Sequence, residues 1–278
     1  MMRTIEARTG AHLPVLGQGT WHMGEKSARK KDEIRALQLG FDLGLTLVDT
    51  AESYASGGAE KVVAEAIQGR RDEIYLVSKV SPRNASRKGT IRAAEKSLRR
   101  LGTDRLDLYL LHWPGNHPLE ETIEAFQELV DAGKIMDYGV SNFDLEAMKE
   151  AQEMSGGDRV AADQVLYNLE RRNIEPGLLP WCAERQIVVM AYSPLERGHV
   201  GEQPGLRTVA ERHGLTPEQV ALAWTVHHRG VVAIVKASEE QHVRTNAASL
   251  EIELSREDLA DLNQAFPAPT HDVPLDIY

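Results

Sequence analysis

Asp49, Tyr54, Lys79 and His112 are the residues whose types, acting together, can deliver a proton to a carbonyl oxygen. A tyrosine hydroxyl, with an ordinary pKa of about 10, is a poor acid or base near neutrality unless a neighbouring cation stabilises its phenolate. Lys79 is a suitable cation. An ammonium drawn into a partly apolar pocket needs a partner to stay charged, and Asp49 supplies one. His112 then donates a hydrogen bond that orients a carbonyl oxygen beside the Tyr54 hydroxyl. Lys79 also admits Schiff-base chemistry of the aldolase kind, although a nearby carboxylate keeps an amine protonated and non-nucleophilic. Taken singly, each residue has a plainer use: Asp49 as a helix cap, Tyr54 as a half-buried aromatic, Lys79 as a solvated charge, His112 as a strand cap.

The elements that must position these residues are legible as an alternation. Aliphatic and β-branched runs cover 15–20, 46–49, 74–79, 106–112, 134–141, 160–164, 187–192 and 231–236. Between them apolar residues recur at helical spacing, as in Ile34, Leu37 and Phe41, or Ile91, Ala94, Leu98 and Leu101. Eight strands alternating with helices predict an α/β fold, a (β/α)8 TIM barrel forming one domain over residues 1–278. A short N-terminal β-hairpin turning at Thr9-Gly10 is expected to cover the closed bottom of the barrel, with extra C-terminal helices and a proline-rich tail lying on its surface. An open doubly wound sheet is the alternative, weakened because no G-x-G-x-x-G follows a strand and GQGTWHMG lacks the third glycine at its position.

In such barrels the site forms at the carboxyl ends of the strands. Here those ends carry Trp21, Asp49, Lys79, His112, Ser141 with Asn142, Gln164, Tyr192 and Lys236. Together they describe a rim with charges, amides and aromatic walls. No metal is expected: Cys182 is the one cysteine, and the adjacent His227 and His228 point apart on a helix.

The 278 residues are 42% hydrophobic and 27% charged, with a net charge of −10. That balance argues against duplex nucleic acid, whose phosphates need clustered cations, and the basic stretch from Arg83 to Arg105 reads as a solvated helix face. No apolar segment is long enough for a membrane helix, and a single cysteine fits a reducing compartment, so a cytoplasmic protein is expected.

DTAESY, the SK of Lys79, LHWP, GVSNF, ADQVLYN, AYSPL and the last-strand lysine, taken in order, resemble the aldo-keto reductase superfamily. The finer pattern, GQGTWHMGE, VLYNLERRNIE and LLPWC, resembles a bacterial branch associated with methylglyoxal and related aldehydes. The resemblance implies NADPH-dependent reduction of small aldehydes or ketones by hydride transfer, with Tyr54 as proton donor, Asp49 and Lys79 tuning it, and His112 orienting the carbonyl. It further implies that Ser141, Asn142 and Gln164 bind the nicotinamide carboxamide, that Tyr192 stacks on the ring, and that Ser193 and Leu195 meet the pyrophosphate. Lys236, Ser238, His242 and Asn246 fall at the adenosine end, with Arg244 nearby, and Trp21 and Trp113 would wall the substrate pocket. His242 stands where the family usually has an arginine, so NADH use is possible. Ser238 and Gln241 also read as a capping box. The short tail suggests an open, permissive pocket. The family suggests a monomer, and some of its members act as cofactor-binding redox sensors rather than enzymes.

Overall fold

The computed structural model describes residues 3–278. All eight expected strands form, in order β3 (Leu16–Gly19), β4 (Leu47–Asp49), β5 (Tyr75–Val80), β6 (Leu106–Leu111), β7 (Ile135–Ser141), β8 (Val160–Leu166), β9 (Val188–Tyr192) and β10 (Val231–Val235). They run parallel, and β10 pairs with β3 to close the barrel. Nearly every strand residue is buried, which is why the strands read as continuous apolar runs.

The N-terminal hairpin pairs β1 (Thr4–Glu6) with β2 (His12–Pro14) through a turn in which Gly10 takes φ +85°. Only glycine adopts that backbone without strain. Ala7 and Leu13 pack into the barrel interior with Leu47, Leu108 and Val232, while Thr9 donates to Asp137 at 3.1 Å. The hairpin therefore plugs the end of the barrel opposite the strand carboxyl ends.

Ten α-helices are described: α1 (Lys30–Asp42), α2 (Gly58–Ala66), α3 (Arg87–Leu101), α4 (Leu119–Asp131), α5 (Leu145–Glu153), α6 (Leu178–Glu184), α7 (Pro204–His213), α8 (Pro217–His227), α9 (Glu240–Ala248) and α10 (Arg256–Ala265). Leu37 and Phe41 on α1, and Ala94, Leu98 and Leu101 on α3, face the core as their spacing requires. Gly102 ends α3 at φ +65°, and the capping box at Thr216 and Gln219 opens α8. The second capping box does not form. α9 starts at Glu240 after Glu239, without a side-chain cap, because the Ser238 hydroxyl is held by Arg29 and Lys236 instead.

No helix among the described residues is long and apolar enough to cross a membrane. The tail beyond α10 has no regular structure and lies over the barrel surface, where Asn173 donates to the Pro274 carbonyl at 2.9 Å. Its last residue, Tyr278, reaches the rim and donates to Glu196 at 2.6 Å.

Candidate active site

Lys79, on β5, is completely buried, and its ammonium uses all three of its donors. Nζ donates to Asp49 Oδ2 at 2.7 Å, to the Thr50 carbonyl at 3.0 Å and to the Tyr54 hydroxyl oxygen at 3.1 Å. β4 and β5 are neighbours, with Asp49 registered on Val77, so the Asp49 and Lys79 side chains meet at the strand ends. Burial pulls the lysine pKa down, but the Asp49 carboxylate and Tyr54 outweigh it, and the net direction is up. The amine is therefore held as a cation.

Tyr54 follows β4 by a short loop and opens a 3-10 turn. Ala55 (φ +49°), Ser56 (φ +52°) and Gly57 (φ +86°) then adopt left-handed backbone in succession. Two of these are not glycine and cost about 1 kcal/mol or more each, a strain typical of segments that fix a functional side chain. The sequence reading has Lys79 pulling the phenol towards ionisation. Burial acts more strongly in the other direction, with Asp49 adding to it, and the pKa of Tyr54 is raised. Tyr54 is thus a protonated acid at neutral pH. Its oxygen accepts from Lys79, which leaves its own proton to donate.

His112 lies just beyond β6, its ring meeting Tyr54 edge-on with centroids 5.5 Å apart. Burial, reinforced by the Lys79 charge, lowers its pKa to about 3, so the imidazole is neutral. Its Nδ1 is 3.3 Å from the Ser53 hydroxyl. With Ser53 donating there, Nε2 carries the ring proton and becomes the donor that a carbonyl oxygen requires. Ser53 sits inside DTAESY and carries no sequence signal of its own.

The amide group is interlocked. Gln164 on β8 donates to Asp49 Oδ1 at 2.9 Å, which leaves its own Oε1 to accept from a ligand. Ser141 donates to the Gln164 carbonyl at 2.8 Å and accepts from Asn142 Nδ2 at 2.9 Å. Asn142, at φ +62°, also donates to the His112 carbonyl and accepts from the Tyr192 hydroxyl at 2.9 Å. Tyr192 is half-buried, held by this bond at the end of β9. Trp113 lies nearly parallel to His112 at 6.2 Å, while Trp21 is exposed at the rim.

After Tyr192 the chain turns sharply: Ser193, Glu196 and Arg197 all have positive φ. Asn168 donates to the Ser193 carbonyl and to Glu196, and Arg171 and Tyr278 also bind the Glu196 carboxylate. Leu195 is half-buried within this turn. The Arg197 guanidinium stands 3.4 Å over the Tyr278 ring and 5.1 Å from the Trp21 ring. Asn168, Glu196 and Tyr278 carried no sequence signal, because their contacts join residues far apart in the chain.

Lys236, just beyond β10, and Ser238 gather with Arg29 in a second cluster. His242 is exposed on α9, and Asn246 is buried one turn further along the helix. No group of three or more His, Cys, Asp or Glu side chains among the described residues could hold a metal ion.

Comparison with known proteins accords with this geometry. The sequence pattern of the Aldo/keto reductase family matches residues 15–266. The chain is 51% identical, over 99% of both chains, to methylglyoxal reductase YeaE of Escherichia coli (strain K12). It is 31% identical to a glyoxal reductase of Bacillus subtilis (strain 168), over 92% of this chain and 90% of that one. An aldo/keto reductase of Klebsiella pneumoniae, crystallised with NADP and acetate, superposes along the full length of both chains with TM-score 0.97 and 46% identity. This chain is an oxidoreductase that belongs to the aldo/keto reductase family.

Proposed function

We propose that the protein reduces small aldehydes and ketones, methylglyoxal among them, to alcohols with NADPH, and that Tyr54 donates the proton. The observation that carries this reading is the buried ammonium of Lys79, 2.7 Å from Asp49 and 3.1 Å from Tyr54. When bound, the reduced nicotinamide supplies a hydride to the carbonyl carbon. Everything else falls to the chain's own groups.

As negative charge develops on the carbonyl oxygen, Tyr54 and the neutral His112 lie together at the mouth to meet it, one with a proton to transfer and the other with a hydrogen bond. The phenolate left after transfer is stabilised by Lys79, a cation already in place that need not reorganise. Asp49 keeps that cation charged, and Gln164 holds Asp49. For the dinucleotide, the free Oε1 of Gln164, the Asn142 amide and the half-buried face of Tyr192 fit a nicotinamide, and Lys236 with Ser238 fits a phosphate. The whole chain, residues 1–278, acts as one domain and as a monomer, since one chain supplies every group used. The single buried Cys182 accords with the reducing cytoplasm.

The Schiff-base alternative is disfavoured by the same lysine, whose pKa is raised and whose protons are all engaged. A cofactor-binding sensor would have no use for a proton donor poised on a buried cation. The test is consumption of NADPH by the purified protein with methylglyoxal, followed by the absorbance of the reduced nicotinamide. Aldehyde-dependent loss supports the reading. Tight dinucleotide binding without turnover on any small aldehyde would favour the sensor, and borohydride trapping of Lys79 without NADPH would favour the aldolase.

A further inference from the structure

Arg29 stands at the start of α1, at the far end of the sequence from β10, yet its guanidinium donates to the Ser238 hydroxyl at 3.2 Å. Lys236 Nζ donates to the same hydroxyl oxygen, also at 3.2 Å. Two cations thus converge on one small side chain, although like charges repel. Lys236 registers the crowding: burial lowers its pKa, and the Arg29 charge lowers it further. Arg29 and Ser238 border an open cleft of about 340 Å³ between α1 and α9, lined also by Asp32, Arg35, Glu239 and Glu240, and Lys236 joins it through its bond to Ser238.

Two of the three acids lining this cleft are paired with its arginines, and the third, Glu240, is exposed at the start of α9. Asp32 sits 3.7 Å from Arg35. Glu239 is exposed and reaches Arg29 only at 4.0 Å, a loose contact that a more highly charged ligand can displace. Glu33, on the same helix as Asp32, accepts from the Gly24 amide, and like Glu25 and Glu239 it partly offsets the Arg29 charge at Lys236 without bonding to it. What remains is a guanidinium, an ammonium and a hydroxyl directed at one point, the donor set of a phosphate dianion.

We propose that Arg29 is a specificity-determining residue that binds the 2′-phosphate of NADPH together with Lys236 and Ser238, and so sets the preference for NADPH over NADH. This rests on the dinucleotide reading given above. The residue compensates for His242, whose position on α9 would otherwise leave the phosphate with one cation from that side. It comes from the opposite wall of the cleft, so the phosphate bridges α1 and α9.

The experiment is direct binding, without turnover. Dissociation constants for NADPH and NADH are measured by quenching of protein fluorescence for wild type, Arg29→Met and Glu239→Gln. Arg29 is half-exposed, so its replacement leaves the fold intact. Arg29→Met should weaken NADPH by about tenfold or more and move NADH by less than about twofold. Glu239→Gln should shift NADPH the other way, towards tighter binding. The salt dependence of NADPH affinity should also flatten in Arg29→Met. An unchanged NADPH-to-NADH ratio in Arg29→Met, or equal weakening of both dinucleotides, overturns the assignment. A wild type that binds neither dinucleotide is a different failure: it removes the cofactor reading itself, and this residue's role with it.

Discussion

Gln164 Nε2 lies 2.9 Å from Asp49 Oδ1, a bond that spans the mouth of the barrel. β4 and β8 sit four places apart in the eight-strand ring, so the two residues face each other across its diameter. The amide expected to meet the nicotinamide therefore also braces the carboxylate that keeps Lys79 charged. Gln164→Leu would leave one oxygen of a buried carboxylate without its partner, at a cost of about 1–3 kcal/mol. Urea denaturation should show that loss, together with weaker dinucleotide binding. A variant as stable as wild type would mean the bond contributes nothing.

His112 should be silent in the acid limb of the rate profile. Its pKa of about 3 in the folded protein lies below the ordinary histidine range, so the ring stays neutral across the pH range of an assay. The sign for stability follows: the unfolded chain takes up a proton as pH falls through about 6.5, the native ring does not, and stability is lost progressively below that pH. His112→Ala should lower kcat/KM about 100-fold by removing a carbonyl-orienting donor. It should not remove any inflection between pH 6 and 7, and the disappearance of such an inflection would show that the ring titrates there.

Asp163 is a liability whose removal should help. It is fully buried beside Gln164 on β8, and neither carboxylate oxygen has a hydrogen-bond partner; the nearby Phe143 amide is not placed to make a regular one. Burial raises its pKa well above the ordinary value. As pH rises above about 4 the unfolded chain releases this proton while the native chain keeps it, so stability falls with a slope of up to about 1.4 kcal/mol per pH unit until the folded pKa is reached. Asp163→Asn should stabilise the protein, and by more at pH 8 than at pH 5, as read by urea midpoints at both. Equal midpoints for the two proteins at both pH values would refute this.

Tyr278 should act as a latch on the turn after β9. Removing it deletes the bond to Glu196 and the ring beneath Arg197, contacts worth together about 1–3 kcal/mol. A chain ending at Ile277 should release NADPH about tenfold faster in stopped-flow displacement, a change equivalent to about 1.4 kcal/mol. An unchanged release rate would confine Tyr278 to surface packing.

How much of this was readable in advance follows from the range of each interaction. Parallel strands covered on both faces are apolar runs, and all eight strands start and stop within two residues of their sequence-based limits. The residues at their ends could be named because a closed barrel directs those ends to one rim. Contacts made across the chain could not be named. Ser238 with Gln241 satisfies the local pattern of a capping box, yet its hydroxyl is taken by Arg29 from the other end of the sequence. Tyr278 looked like the end of a short tail, and nothing local linked it to Glu196. The direction of the Tyr54 shift escapes the sequence for a related reason. A nearby cation is visible in a motif, whereas the depth of burial that outweighs it depends on every packed element.

The most direct test of the central claim compares wild type with Tyr54→Phe, measuring NADPH consumption with methylglyoxal alongside NADPH binding by fluorescence. The substitution removes one oxygen and its proton and leaves the ring, so the account predicts that turnover falls by about 100-fold or more while the dissociation constant for NADPH stays close to wild type. Turnover retained at the wild-type rate would contradict it, since the proton would then have to come from another group.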